Sequence, residues 1–406
     1  MAGLAGMQGQ TTASELKQVL ILSLGFGMVG IDRFMISTLF PVISKDLSLS
    51  YSDIGTVTGA LALAWGVAAL FMGNWADRVG RRKVLTGAML IFSLLIGFSG
   101  LAVGLMSLVL IRILMGLADG AYTPASIAAT MDASPPQRRG RNIGFQQMSA
   151  LLFGLGIAPL FIPLVLHWID WRWVFLLLAP PGVLLTWLTY REIPEPRADQ
   201  MNSGSDHSNL TAWRAVLAYH NIRVAMALML IWLTCLVTIS AFMPNYMLDH
   251  LHMEFAQMST AMSAIGIGGA LGTMVLPWLS DYIGRKTVML LGTAFALGGV
   301  IFLSNAGPSV PVLFGALFVV MACIMSLITL TVGPLCGEAA PAALTATASG
   351  LVIAAGEIFG GGIAPVIAGN VAQTLGIAHV LWLPMGVLVI GLLLCLTIEK
   401  HPVVPA

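Results

Sequence analysis

Twelve stretches of this chain are long, apolar and almost free of charge, at 17–43, 53–74, 84–104, 106–130, 143–167, 172–190, 221–246, 257–279, 287–306, 310–332, 346–372 and 378–397. A helix needs about 20 apolar residues to cross a bilayer core, and each stretch reaches that length to within a few residues. Charged residues make up 9% of the chain, against about 25% in an ordinary soluble domain. A water-soluble surface could not be built from so few charges, so lipid is the solvent for most of the molecule. The expected fold class is an all-α membrane protein with 12 transmembrane helices. The polar run "REIPEPRADQMNSGSDHSNL", Arg191 to Leu210, divides the spans six and six. The reading is a tail over 1–16, a six-helix bundle over 17–190, a linker over 191–220, a second bundle over 221–398 and a tail over 399–406.

Basic residues set the orientation. With the N-terminus inside, 15 of the 19 Lys and Arg fall on the cytoplasmic side, only Lys45 and Arg172 fall outside, and Arg33 and Arg112 lie within spans. Both termini are then cytoplasmic, in a plasma membrane or, in a prokaryote, the inner membrane. The formal net charge of +1 gives no reason to expect nucleic acid. The four cysteines form no C-x-x-C pair and read as small core residues. Met1 to Ser14 has no basic n-region and does not read as a secretion signal. "DHLHME" near 250 reads as a solvated face and not a metal site, and no cofactor is expected.

The chain repeats itself. "GFQQMSALLFGLGIAP", Gly144 to Pro159, aligns without a gap on "GLVIAAGEIFGGGIAP", Gly350 to Pro365, at an offset of 206. Asp77, Gly80 and Arg81 of "ADRVGRRK" return as Asp281, Gly284 and Arg285 of "SDYIGRK" at an offset of 204. Two pseudo-symmetric six-helix bundles with a site between them follow, which is a transporter plan.

"GNWADRVGRRKVL", Gly73 to Leu85, resembles the G-x-x-x-D-R-x-G-R-[RK] signature of the major facilitator superfamily, and the half-repeat stands in the matching loop of the second bundle. "WRWVF" at the start of span six and "FMPNYM" at the end of span seven agree with that resemblance. Gly73, Asp77, Arg78, Gly80 and Arg81, with Asp281, Gly284 and Arg285, are expected to work as a conformational gate. Glycine permits the tight turn, and the arginines can pair with acids of the next loop, latching one conformation.

Five ionisable residues lie well inside spans: Asp32, Arg33, Arg112, Asp119 and Glu357. Each costs about 2.5–3.5 kcal/mol at a helix centre on insertion scales, so such residues pair or line a wet cavity. Arg112 and Asp119 are seven apart, hence on one helix face about 10 Å from each other along the axis. Asp32 and Arg112 are expected at similar depth, facing each other across the cavity. Arg33 turns about 100° away from Asp32 and is expected to be free for a ligand. Asp119 is expected deeper, towards the cytoplasm.

The same set is similar to the anion:cation symporter branch of that superfamily, which carries organic acids. Its members have a D-R pair in span one, here Asp32-Arg33, and an R-x-x-x-G-x-x-E-G-x-x-x-P run in span four, here "RILMGLADGAYTP" with Asp119 in place of Glu. The resemblance implies that Arg33 anchors a substrate carboxylate, that Asp32 and Asp119 exchange protons, and that Arg112 senses them. Two arginines, three acids and one anionic substrate sum to −2, so a dry occluded state would prefer two bound protons. Glu357 is a further proton site candidate, because its repeat partner is Leu151. Gln146, Gln147, Asn245, Tyr246 and Trp65 are candidates for binding or walling the substrate.

The function expected is proton-coupled uptake of a small organic anion by a monomer in the lipid bilayer, through alternating access. The alternative is a proton-antiport exporter of drugs or metabolites, for which "GLGIAP" is only a partial motif. No nucleophile–base pair or phosphate loop suggests an enzyme.

Overall fold

The computed structural model describes residues 2–135, 137–195, 209–341 and 344–399. Twelve helices in it are long and apolar enough to span a membrane: α1 Ser14–Leu47, α2 Tyr51–Met72, α3 Arg81–Ser99, α4 Leu105–Ala133, α5 Arg139–Leu166, α6 Trp171–Glu192, α7 His220–His250, α8 Phe255–Ile283, α9 Arg285–Ser304, α10 Val310–Ala339, α11 Thr347–Leu375 and α12 Ile377–Leu396. They match the twelve apolar stretches in number and order. The helix that holds α1 begins already at Ala2, so the expected N-terminal tail is helical where it is described. Part of the expected linker, 196–208, and the C-terminal residues 400–406 lie outside the described residues. Ahead of α7 the linker ends in a short helix, Asn209–Leu217.

Two apolar cores form, one centred on each half, and the second also takes in Phe34, Phe40 and Leu155 of the first. Phe26, Val29, Phe92, Met115, Tyr122, Trp171 and Phe175 pack together in the first, and Trp232, Phe242, Met262, Val320, Ile324 and Leu388 in the second. Large apolar side chains such as Phe98, Leu110, Trp187, Phe295 and Leu393 face outward, where a bilayer would cover them.

Two features of the repeat decide how the halves meet. The α2–α3 and α8–α9 turns pivot on Gly80 (φ 111°) and Gly284 (φ 90°), a left-handed backbone that side chains with a Cβ rarely adopt. Then α5 and α11, the helices that carry "GLGIAP" and "GGGIAP", both loosen into wide i→i+5 turns, over Leu152–Ile157 and Gly356–Ile363. The cause is local. Pro159 and Pro365 lack the N–H that would bond to the carbonyl four residues earlier, and their rings crowd it, so the preceding turn opens. Pro244 and Pro334 accompany two further turns of this kind, Tyr246–His250 and Thr331–Leu335.

The halves touch through α2 against α11, α5 against α8 and α1 against α7. Helix α2 descends from the face opposite the termini while α11 climbs towards it. A Cβ on Gly59 would collide with the Gly362 carbonyl, one on Gly55 with the Pro365 carbonyl, and one on Gly266 with the backbone of Leu155 and Gly156. Small residues at helix contacts are what membrane packing uses. These approaches run from the far face to the middle of the bundle, and the charged residues lie where they end.

Candidate functional site

Helices α1 and α4 carry the first cluster. Arg112 donates through Nη1 to the backbone carbonyl of Asp32 at 2.8 Å and to its Oδ1 at 3.4 Å. Their side chains are 1% and 0% exposed. Asp119, two turns further along α4 on the same face, is fully buried and lies in the electrostatic field of Asp32, Arg33 and Arg112. No donor among the described residues reaches either Asp119 oxygen or Asp32 Oδ2, and Arg112 Nε and Nη2 have no acceptor. One expectation changes here. Asp32 and Arg112 do not face each other across a cavity: both belong to the first half, and their helices pack directly.

Arg33 belongs to a second cluster that crosses between the halves. Its Nη2 meets Glu357 Oε2 at 2.8 Å and its Nη1 meets Oε1 at 3.1 Å. Trp65 of α2 lies under the guanidinium at 4.2 Å, and the Phe34 ring lies at 5.5 Å. Such fork-to-fork pairing is the strongest geometry a guanidinium makes with a carboxylate, and the stacked indole adds to it. Arg33 is therefore not free, as the sequence suggested. The carboxylate that engages it comes from a helix 324 positions away, which no local spacing could reveal.

Beside this pair is an enclosed void of about 10 Å³, lined by Arg33, Phe34, Ser37, Thr58, Arg112 and Ser240 among others. That is room for about one water. The five charges converge on the centre of the molecule, where Arg33 closes on Glu357 and Arg112 on Asp32. Ser37, Thr58 and Ser240 were missed from the sequence. Ser37 stands one turn from Arg33, and that helical spacing was its available signal.

The other candidates divide. Trp65 stands at the centre, as described. Gln146 is buried and donates through Nε2 to Ser126 Oγ at 2.5 Å, tying α5 to α4, while its Oε1 has no partner among the described residues. Gln147 is exposed. Asn245 and Tyr246 belong to the far face. Asn245 donates to Asp249 Oδ2 at 3.0 Å, and Tyr51 of α2 donates its phenol to the same oxygen at 2.8 Å. Asn245 also lines a half-open cleft of about 460 Å³ with Lys45, Tyr51, Asp249 and Gln373. Tyr246 is buried and stacks on His250 with ring centroids 5.0 Å apart. A shared oxygen thus joins the halves on that side, well away from Arg33.

The loop residues make matching ion pairs. Arg81 pairs with Asp132, and Arg285 pairs with Asp281 at 2.5 Å and Glu338 at 3.1 Å. Arg82 approaches Glu195 at 3.4 Å. The side chains of Gly73, Asp77 and Arg78 lie outside the described residues. Among the described residues these gate pairs stay inside one half each, so they brace the ends of α3 with α4 and of α8 and α9 with α10.

The model of one family, the Major Facilitator Superfamily, matches residues 22–360 and 238–406. The chain belongs to that superfamily. Its members and relatives are transporters, so this is a multi-pass membrane transporter of small molecules and not an enzyme. It is 24% identical over 379 residues to a putative metabolite transport protein of Haemophilus influenzae, covering 90% of this chain and 91% of the relative. It is 24% identical to a probable L-galactonate transporter of Escherichia coli (68% of this chain, 64% of the relative). To the sialic acid transporter NanX of Escherichia coli it is 27% identical (70% and 69%). Among solved structures, the nucleoside transporter NupG superposes with a TM-score of 0.79 at 14% identity, over 94% of this chain and 99% of that one. A bacterial homologue of the lysosomal transporter Spinster, inward-facing and unoccupied, gives 0.74 at 18% identity, over 94% and 95%. These two likenesses concern the fold alone.

Proposed function

We propose that this superfamily transporter takes up a small organic anion, a sugar acid or related carboxylate, together with protons. One observation carries the reading: Arg33 presents both terminal nitrogens to a carboxylate at the seam between the halves, with an indole at its back. A guanidinium placed there suits a carboxylate ligand better than an ammonium would, because its two parallel donors match two oxygens. Relatives named for L-galactonate, sialic acid and, in Bacillus subtilis at 25% identity over 67% of this chain, hexuronate all handle such acids.

Asp32 and Asp119 supply proton coupling in this reading. Two buried carboxyl groups in each other's field favour holding one proton between them, since like charges at short range repel strongly. Movement of Arg112 as α1 and α4 shift changes how firmly that proton is held. With a substrate carboxylate added to the five charges, two protons restore neutrality. The far-face contacts of Tyr51 with Asp249 and of Gly59 with Gly362 describe a state closed on that side. The strong bias of basic residues to the other side makes the closed face the outer one of an inner membrane, with both termini cytoplasmic. The loop pairs of Arg81 and Arg285 keep each half rigid while the halves rock.

The second reading, a proton-driven exporter, draws on relatives such as the multidrug export protein EmrB of Haemophilus influenzae, 27% identical over 41% of this chain and 33% of the relative. One experiment separates the two. Purified protein in proteoliposomes is given an inward proton gradient and radiolabelled galactonate, galacturonate or N-acetylneuraminate. Uphill accumulation of one acid that a protonophore collapses is expected. Proton-driven movement of a lipophilic cation in the opposite direction, with no acid transported, selects the exporter.

A further inference from the structure

Arg33 already holds a carboxylate, and that carboxylate belongs to the protein. We propose that Glu357 is a built-in stand-in for the substrate: ionised, it fills the Arg33 fork and pins the two halves together, and protonated, it yields the fork to an incoming carboxylate. The inference rests on the reading of Arg33 as the substrate's anchor.

The geometry leaves little choice of arrangement. Both parallel donors of Arg33 are used, at 2.8 and 3.1 Å. The indole of Trp65 closes one flat face at 4.2 Å. The adjoining void, about 10 Å³, takes a water and nothing larger. A substrate carboxylate therefore cannot join the pair; it has to replace one member. The neighbouring backbone is cut away to admit Glu357. A Cβ on Gly361 would stand 2.9 Å from Oε2, and one on Gly66 would stand 3.2 Å from the Glu357 Cβ.

The acid is not needed for the helix shape. In the repeat, α5 forms the same kind of wide turn over Leu152–Ile157 with Leu151 at the matching position. Glu357 thus adds chemistry to a backbone that forms without it. Other charges do not compete for it. From α1 it faces Arg33, and behind that Asp32. Through Arg33 it feels Arg112 and Asp119 of α4. Helix α2 offers Ala62, Trp65 and Gly66, and α7 offers Met229 and Leu233 near Gly356; all are uncharged. Among the described residues, Arg33 is the one cation within 4 Å of the Glu357 carboxylate.

The exchange balances. The unloaded pair, Arg33⁺ with Glu357⁻, plus a substrate anion and one proton gives Arg33⁺ with the anion and a neutral Glu357. Each turn of this exchange takes up one proton per carboxylate bound, without leaving a bare charge in the membrane interior. The same step unpins α1 from α11, so loading and loosening of the seam are one event.

The test uses purified full-length protein in nanodiscs, with galactonate, galacturonate and N-acetylneuraminate as probes. Binding is measured at pH 5.5 and 8.0, with proton uptake followed in weak buffer. The wild type should bind the preferred acid at least tenfold more weakly at pH 8.0. Glu357→Gln should bind at pH 8.0 at least tenfold more tightly than wild type, lose most of the pH dependence, and take up about one proton fewer per acid bound. Glu357→Leu, which copies Leu151, should lose the pH dependence in the same way, so the result does not hang on one variant. Wild-type affinity and pH dependence in both variants would overturn the inference while leaving Arg33 as anchor. Tighter binding of an α-amino acid by wild type than by Glu357→Gln would overturn it as well, because Glu357 would then be holding an ammonium. An Arg33→Ala protein that binds the acids as wild type does would remove the anchor, and this inference with it.

Discussion

The two halves of this transporter share a skeleton and differ in chemistry. Each turns on a left-handed glycine, Gly80 or Gly284. Each carries an arginine paired with an acid of the next connection, Arg81 with Asp132 and Arg285 with Glu338. Each loosens one helix ahead of a proline, at Leu152–Ile157 and Gly356–Ile363. The buried charges do not follow the repeat. Offsets of 204 to 206 from Asp32, Arg33, Arg112 and Asp119 fall on Leu236 to Ile239, Ala316 to Phe318 and Cys323 to Met325, with no charge among them. Four of the five central charges sit in the first half, and the second contributes Glu357 alone. Duplication supplied two interchangeable rocking bodies. Transport chemistry needs one site, and a single site between two bodies has to break their symmetry.

The largest expected effect comes from removing the charge that joins the halves. Arg33→Ala should lower acid uptake in proteoliposomes by about 10²–10³-fold, in line with the 3–5 kcal/mol lost when a buried pair loses one member. A loss below tenfold would mean the anchor lies elsewhere. Forcing symmetry should be almost as damaging. Leu151→Glu puts an acid at the position matching Glu357, at a site only 6% exposed. A cost of about 2.5–3.5 kcal/mol is expected, read as a clear drop in melting temperature in detergent, and a neutral result would mean that half tolerates charge too. A smaller effect is expected at the seam. Gly59→Val should push α2 from the Gly362 carbonyl and open the far face, so that a cysteine at Ser44 in the cleft reacts several-fold faster with a water-soluble maleimide. The native cysteines are buried or half-buried and give little background. The smallest effects belong to the shared skeleton. Arg81→Ala and Arg285→Ala break partly exposed pairs worth about 0–1 kcal/mol each. Their effects on melting temperature should be small and alike; a large change from one alone would show that the loops, too, have diverged.

Much of this was legible in the residues because lipid is an exacting solvent. Twelve spans, the two-fold plan and the superfamily all followed from apolar length, from "GLGIAP" against "GGGIAP", and from "ADRVGRRK" against "SDYIGRK". That the five buried charges would gather was legible too, since an isolated ion in hydrocarbon is too costly to keep. Their pairing was not. Helical spacing on one strand of sequence ranks Arg33 as unoccupied and sets Asp32 opposite Arg112 across an open space. The coordinates pair Arg33 with Glu357 and pack Asp32 directly on Arg112. Gln147 looked as eligible as Gln146, and only the rotation of α5 about its axis separates them, one tied to Ser126 and the other exposed.

By itself the sequence determined the solvent, the number of crossings, the duplication and the cost that forces charges inward, because each follows from composition and period along the chain. Tertiary structure alone decided which carboxylate Arg33 holds, that Arg112 packs directly on Asp32, and that Asn245 serves the far face. Those facts depend on how twelve separate helices are turned and tilted against one another, and residues 324 positions apart have no local pattern through which to announce that they touch.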